Sequence, residues 1–570
     1  MPFRSRFPDA TIPECNLLSY LFPNGKAESD QPLWINAAQP TTSLTASQTL
    51  SAIKRFAAGL DQLRVPKGST VMVVAPNNIY VPIVYLTAIG SGRIFTAANP
   101  AYTVSELVHQ MKTIRAAVVL TNPSSLEKVA DAAAQADVPQ DRIFQFADHE
   151  LDTSLPETHD VLDWRAVLRS NVRDWREVWA EGKEAEQWRW DALEGQAAKE
   201  TIAVINFSSG TTGLPKGVCT THYNIVANLS QVIQAKLHKT GQTIDTSASD
   251  GWLAFLPWYH AYAQMWTLLV PFKLRQSVYT MSKFELKPYL AHIEKYKIQN
   301  LVLVPPTLVS ISKRQGIENV NLKSVKWVMS AAAPLKKDLQ NDISRKLGAA
   351  IVQSWGMTET TCTGLMIPGT MDDDSGSVGY LLPSTEAKLV DEEGNEVSEG
   401  QTGELWVRGP QMMYCYWENG TATNDTMTED RWLKTGDVAQ HKDGKWWIVD
   451  RRKELIKVRG FQVAPAELEA LLLEHDDIAD AAVVGLASND QELPRAYVVL
   501  RDTKQSHAEA TRKIQDYVKE KAARHKQLTG GIAVVDSIPR LLSGKIQRKV
   551  VKEWAKKDTE RLKTKPSAKL

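Results

Sequence analysis

The sequence predicts an α/β protein with a large N-terminal body of layered α/β subdomains and a small α+β C-terminal domain. Three observations carry this. Short β-rich runs alternate with helical patterns through most of the chain. At 570 residues it is too long for one compact core. Near Asp450, "KWWIVDRRKELIKVRG" sets a β-rich run against a charged turn and leaves about 120 residues, the size of a small domain.

Taken in order, "TVMVVA" ahead of Pro76, "AAVVLT" at 116–121, "NLVLVPP" from Asn300 and "VKWVMS" from Val325 read as strands. The strand ending at Ser330, an Ala-Pro turn, the helical stretch "LKKDLQNDISRKLG" closing at Gly348, and the strand "AAIVQS" form one βαβ unit. Between about 148 and 200 the pattern gives way to a charged segment carrying Trp164, Trp175, Trp179, Trp188 and Trp190. It reads as an insertion of surface helices whose aromatics dock on the body. Interleaved acidic residues argue against a base-stacking surface. The chain shows no internal repeat and no low-complexity tract.

Sixty-seven basic residues face sixty-six acidic ones, so no global charge favours nucleic acid or an anionic membrane. Cys15, Cys219, Cys362 and Cys415 form no C-x-x-C pair and suggest neither a zinc site nor a disulfide framework, which fits a reducing compartment. The first residues are broken by Arg4, Arg6, Pro8 and Pro13 and lack the apolar core of a signal peptide. Apolar runs stay far below the roughly 18 residues of a membrane span, so a soluble protein with no transmembrane segment is expected. The chain ends Ala568, Lys569, Leu570, one small residue away from the peroxisomal address Ser-Lys-Leu. The expected location is the peroxisome, reached through its import receptor, and otherwise the cytoplasm.

"NFSSGTTGLPKGVCTTH" at 206–222 looks like a phosphate loop but fails the Walker spacing. Pro215 stands where the second glycine belongs, and Gly217 follows Lys216 where Ser or Thr would hold magnesium. "AVINF" and "GVCTT" read as two strands of a hairpin around it. Thr221 then caps a helix with Ile225, Val226, Leu229, Val232 and Ile233 on one face. Small residues let the backbone N–H groups of the loop turn inward as an anion nest, with Lys216 adding a mobile charge.

In order after this loop come "QSWGMTETT" from Gln353, "KTGD" at 434–437, "DRRKELIKVRGFQVAPAELE" from Asp450 and "PRLLSGKIQRK" from Pro539. Together these resemble the adenylate-forming enzymes over nearly the whole chain, closest to the branch of 4-coumarate CoA ligases, firefly luciferases and related acyl-CoA synthetases. The resemblance implies the adenylate-forming fold, with an N-terminal AMP- and acyl-binding domain over 1–449, a hinge at 450–454 and a mobile C-terminal domain over 455–570. It implies an acid:CoA ligase using ATP, Mg2+ and coenzyme A. A carboxylate attacks the α-phosphate to give acyl-AMP and pyrophosphate, and the CoA thiol then displaces AMP.

Each residue role is likewise what the resemblance implies. Ser208, Ser209, Gly210, Thr211, Thr212 and Gly213 with Lys216 orient the leaving phosphates, and Lys545 bridges carboxylate and phosphate. Glu359 holds magnesium, Thr358 touches the α-phosphate, and Trp355 beside Gly356 stacks on adenine, with Ala332, Ser354 and Met357 alongside. Asp437 accepts from both ribose hydroxyls, assisted by Arg451. His260, with Tyr259 and Tyr262, guards the acyl pocket, which Met329, Ala331 and Ser354 border. Ala331 and Ser354 stand where relatives carry Gly, narrowing the floor, and the Ser354 hydroxyl either meets a polar substrate group or bonds to backbone. Lys453 is the pivot, and Lys457, Gly460 and Phe461 belong to the face used for thioester formation. The implied acids are aryl, arylacetic, hydroxycinnamic or medium-chain. Transfer to a carrier-protein phosphopantetheine, luciferase-type oxygenation and a non-catalytic nucleotide scaffold remain as alternatives.

Overall fold

The computed structural model describes residues 2–27, 30–146, 173–208, 215–238, 250–314, 316–333, 335–369, 371, 373–458, 461–488, 491–502, 505–540 and 544–564. Among them the N-terminal body holds three sheets. The first has eight strands in the spatial order Cys415–Tyr416, Lys216–Thr221, Ile202–Ser208, Ile94–Ala98, Thr70–Val74, Ala116–Thr121, Ile143–Gln145 and Arg173–Asp174. The second has nine, and Trp252–Ala254, Asn300–Leu303, Trp327–Ser330 and Ala350–Trp355 run parallel at its centre. The third is antiparallel, passing from Phe3–Arg4 through Glu386–Val390, Thr402–Arg408 and Leu433–Lys442 to Lys445–Arg451.

The local sequence explains these differences. Thr70–Val74 and Ile94–Ala98 are buried at every position, as apolar runs covered on both faces must be. Leu433–Lys442 alternates buried and half-buried residues, so one face of the third sheet meets solvent. The anticipated βαβ unit is present as Trp327–Ser330, the helix Lys337–Leu347 ending on left-handed Gly348, and Ala350–Trp355. The hairpin around the phosphate loop pairs Ser208 with Lys216.

Thr221 caps the helix His222–Lys236 as expected, its hydroxyl accepting from the Asn224 amide. That helix is buried almost all round rather than on one face. Its polar side chains are satisfied instead of solvated. Asn228 donates to the Thr363 carbonyl at 2.8 Å and accepts from the Thr363 amide at 3.1 Å, while Gln231 donates to the Pro383 carbonyl at 2.7 Å.

The insertion docks on the body through its aromatics as expected, but its helices are short. Its described part, 173–200, holds a 3-10 turn at Trp175–Val178 and two five-residue helices, Lys183–Gln187 and Gln196–Glu200. Docked aromatics rather than helical periodicity anchor it. Trp175 is fully buried, with Phe56, Phe146 and Trp179 edge-on at 5.4, 4.9 and 5.0 Å. Trp188 donates to Asp61 and Trp190 to Ser19. Trp164 lies outside the described residues.

All four cysteines are free thiols, yet Cys219 and Cys415 stand directly opposite one another on adjacent antiparallel strands. Their sequence spacing hides that pairing.

The C-terminal part has its own core. Ile478–Ser488 pairs antiparallel with Gln491–Leu500, which pairs parallel with Ile532–Val534. The helices Pro465–Glu474, His507–Lys521 and Arg548–Thr564 accompany this sheet, and Leu468, Leu472, Val483, Val498 and Ile514 fill the space between. No helix among the described residues is long and apolar enough to cross a membrane.

Trp175→Ala is expected to destabilise the body by about 3–5 kcal/mol, because a fully buried ring leaves a cavity its neighbours cannot fill. Urea unfolding followed by tryptophan fluorescence measures the shift.

Candidate active site

The parallel strands Asn300–Leu303, Trp327–Ser330 and Ala350–Trp355 end side by side, and the chain leaves the sheet at each end. A crevice outside the carboxyl ends of such strands is where α/β folds bind ligands. Here it is a cleft whose lining includes His260, Tyr262, Ala331, Ser354, Thr358 and Lys545. Ala332, Gly356 and Met357 also border it. The Ser354 hydroxyl donates to the Leu365 carbonyl at 3.0 Å, the backbone alternative of the two its position allowed. The Tyr262 hydroxyl donates to the Leu303 carbonyl at 3.2 Å. Met329 is fully buried in the core, and neither it nor Tyr259 belongs to the cleft wall. Met329 lies inside the strand, which ends at Ser330, and packs in the core, whereas Ala331 just past that end lines the cleft.

The turn after Trp355 is tight. A Cβ on Gly356 would lie 1.7 Å from the Cys362 carbonyl oxygen, so only glycine fits. Thr361 adopts φ 61°, a costly backbone for a β-branched residue, and its hydroxyl donates to the Gln411 carbonyl at 2.7 Å. This fold-back buries Glu359, whose carboxylate accepts from the Tyr416 hydroxyl at 2.7 Å. The Lys216 ammonium sits 4.8 Å from the centre of the same Tyr416 ring. Tyr416 thus joins the phosphate-loop lysine to the acidic turn. Sequence reasoning missed it, because "YCYW" matches no motif and only strand register brings it there.

Asp437 and Arg451 are cross-strand partners at the edge of the third sheet, with Arg451 Nε 3.1 Å from Asp437 Oδ1. The second carboxylate oxygen accepts from the Trp355 indole at 2.8 Å. Trp355 is almost wholly buried, and its six-membered ring lies so close over Gly364 that a Cβ there would come within 2.7 Å. The indole N–H therefore orients Asp437, a contact the motif did not indicate.

Lys545 enters the cleft from the C-terminal part. Burial, then the neighbouring Arg451, push its ammonium down to about 8, against the pull of Asp437, Glu359 and Glu454. Burial, then Lys545, push His260 down to about 3, so its imidazole is neutral at working pH. Behind His260 the chain makes a wide π turn at Gln264–Leu269, a form concentrated at functional sites. Gln264 and Asn206 exchange two buried hydrogen bonds of 2.8 and 3.0 Å. They tie the histidine segment to the strand that enters the phosphate loop, a link absent from any motif.

The remaining candidates lie apart. Ser208 ends its strand beside the loop, while Ser209, Gly210, Thr211, Thr212 and Gly213 fall outside the described residues. Lys453 and Lys457 are exposed, and the Lys457 amide donates to Glu492 at 2.9 Å, away from the cleft. Phe461 opens the strand Phe461–Val463, and Gly460 lies outside the described residues. Asp450 is buried at the junction, its carboxyl pushed up to about 7 by burial, close to Arg548, which pairs with Glu454 and Glu469. Lys545 and Lys457 thus do not share the cleft in this arrangement.

A lysine held near pH 8 is cationic below that value and neutral above it. For the adenylation that the sequence resemblance implies, kcat/KM is expected to fall as pH rises through about 8. Lys545→Arg should remove that limb from a pyrophosphate-release profile.

Residues 24–417 match the AMP-binding enzyme family, and residues 467–545 match the AMP-binding enzyme C-terminal domain. Acyl-CoA synthetase ACTT5 of Alternaria alternata is 36% identical over 557 residues, covering 94% of this chain and 91% of that protein. Phenylacetyl-CoA ligase epaB of Aspergillus niger is 35% identical over 551 residues, covering 95% and 97%. Among solved structures, the anthranilate CoA ligase AuaEII in complex with anthranoyl-AMP shares the fold at TM-score 0.80 and 21% identity, over 97% of this chain and 99% of that one. With both family regions in order and the lysine, aspartate and glutamate positions gathered around one cleft, the chain belongs to the AMP-binding, adenylate-forming enzyme family.

Proposed function

We propose that the protein is an AMP-forming acid:CoA ligase, and the observation that carries this is the buried Lys545 ammonium beside His260, within Coulombic reach of Asp437 and Glu359. Attack of a carboxylate on the α-phosphate of ATP brings two anions together, and a desolvated cation between them offsets charge most where it accumulates. The carboxylate oxygen forms the new bond to phosphorus, the bond to the β-phosphate oxygen breaks, and pyrophosphate leaves. Lys216 and the loop it borders orient that leaving group. Neutral His260 holds the acid's carboxylate end and screens it from water. Asp437, fixed by Trp355 and Arg451, accepts from the ribose hydroxyls. In the second step the CoA thiol adds to the acyl carbonyl, AMP leaves, and the thiol proton goes to solvent.

Glu359 suits Mg2+, since a single buried carboxylate supplementing phosphate oxygens and water is the usual ligand set for that ion. When bound, the ion neutralises phosphate charge.

The acyl wall of Ala261, Tyr262, Ala331, Ser354 and Cys362 carries no charged side chain, and its hydroxyls at Tyr262 and Ser354 are engaged with backbone. This favours an aryl, arylacetic, hydroxycinnamic or medium-chain acid with an uncharged tail. The phenylacetyl group for which the Aspergillus niger relative is named lies within that range. The C-terminal Ala568, Lys569 and Leu570 support peroxisomal import, with the acids serving secondary metabolism or β-oxidation.

Incubation with ATP, Mg2+, CoA and a panel of such acids is expected to release AMP and an acyl-CoA. Persistent acyl-AMP without thioester overturns the ligase reading. Lys545→Ala should lower adenylation by about 100-fold or more while sparing thioester formation from supplied acyl-AMP. Lys216→Ala should cost about tenfold in adenylation alone. A fluorescent protein ending in the last residues of this chain should collect in peroxisomes, and uniform cytoplasmic signal would refute that address.

A further inference from the structure

Lys545 works only if the small domain that carries it is seated correctly on the large one, and the contacts that seat it are visible. The helix Pro305–Ser312 follows directly from the parallel strand Asn300–Leu303 at the cleft edge. Its N-terminal end meets the lysine loop. Gly544, at φ 82°, approaches so closely that a Cβ would lie 3.2 Å from Val304 and 3.3 Å from Pro306. At its other end, the cap residue Lys313 extends its ammonium across the domain junction. It donates to the Leu473 carbonyl at 3.3 Å and the Ile478 carbonyl at 3.2 Å.

Both acceptors are suited to a cation. Leu473 belongs to the last turn of the helix Pro465–Glu474, whose carbonyls lack intrahelical donors and carry the negative end of the dipole. Ile478 opens the first strand of the small-domain sheet. Two residues along that strand, Asp480 accepts from two of the three Arg540 nitrogens at 2.6 and 2.9 Å. Arg540 in turn donates to the Gly544 carbonyl at 2.7 Å, and Lys545 is the next residue. A continuous set of polar contacts therefore runs from Lys313 through one strand to the catalytic lysine. Lys336 and Glu474 add a neighbouring cross-domain ion pair at 3.3 Å. The groups facing Lys313 are Arg501, Asp476, Asp480 and Lys346. Burial, then Arg501, hold it down to about 8, so it remains charged at neutral pH.

We propose that Lys313 is a positioning residue for adenylation, seating the small domain so that Lys545 reaches the α-phosphate. It rests on the ligase reading above. Lys313 touches no substrate and acts through Lys545. A positional error of about 1 Å at a reacting group costs up to about 100-fold in rate, so a lost seat is readable in kinetics. Because the seat belongs to one domain arrangement, its loss selects against one half-reaction.

The test measures the two half-reactions separately in full-length Lys313→Met, Lys313→Arg and the wild type. Pyrophosphate release with ATP and acid reports adenylation. Acyl-CoA formation from supplied acyl-AMP reports the second step. Lys313→Met is expected to lower adenylation by about tenfold and leave the second step unchanged or faster, and Lys313→Arg to restore most of the loss. An equal fall in both steps marks a merely structural lysine and overturns the proposal, as does no change in either. If Lys313→Met is recovered unfolded, Lys313→Gln gives the same comparison. Wild-type protein that releases no pyrophosphate with any acid overturns the ligase reading, whereas active wild type with an unaltered variant overturns this proposal alone.

Discussion

The arrangement depends on one electrostatic feature: a positive charge, that of Lys545, is brought out of water into the cleft, where the proposed adenylation brings two anions together. An ammonium in a low-dielectric cleft is costly unless compensated, and the compensation here is built in. Asp437, Glu359 and Glu454 surround Lys545 closely enough to oppose its loss of charge, while Arg451 and burial work the other way. The lysine is poised between protonated and neutral, ready for anionic ligands to tip it. Burial, and then the charge of Lys545, keep His260 neutral, so His260 does not add a second cation beside Lys545.

Holding such a site requires rigid parts that meet from different sheets, and buried polar pairs do this. Asn206 with Gln264 joins the loop strand to the histidine segment. Asn228 with Thr363 joins the central helix to the tight turn, and Tyr416 with Glu359 joins that turn to the edge of the eight-stranded sheet. Each pair is satisfied on both sides, which makes it specific in geometry, since shifting either partner leaves a buried group unbonded. The strain at Thr361 persists because this surrounding network over-determines the turn.

Around Asp437 one side chain performs two tasks. A tryptophan at 355 reaches Asp437 with its indole N–H while its ring fills the space above Gly364. The carboxylate is thereby fixed by two donors from different directions, Trp355 and Arg451. Each oxygen keeps a further lone pair, which suits the proposed recognition of two adjacent hydroxyls.

Much of this was legible in the chain itself. The strands at 70–74, 116–121 and 300–303, the βαβ unit closing on Gly348, the Thr221 cap and the hairpin of the phosphate loop follow from local rules, because burial pattern and capping act over a few residues. Ordered motifs likewise placed Lys545, Asp437, Glu359 and His260 in one site. What only the tertiary structure decided concerns residues whose role depends on a distant partner. Tyr416 meets Glu359 through strand register, Cys219 faces Cys415 for the same reason, Trp355 turns its indole to Asp437, and Lys313 finds carbonyls in the other domain. Met329 sits in the core because its strand ends only at Ser330 and the chain opens onto the cleft at Ala331, and the insertion near Trp175, whose aromatics dock as its tryptophans suggested, takes shorter helices than expected. Periodicity and capping are encoded within a few residues, but register and domain seating are settled by packing across hundreds of residues of chain.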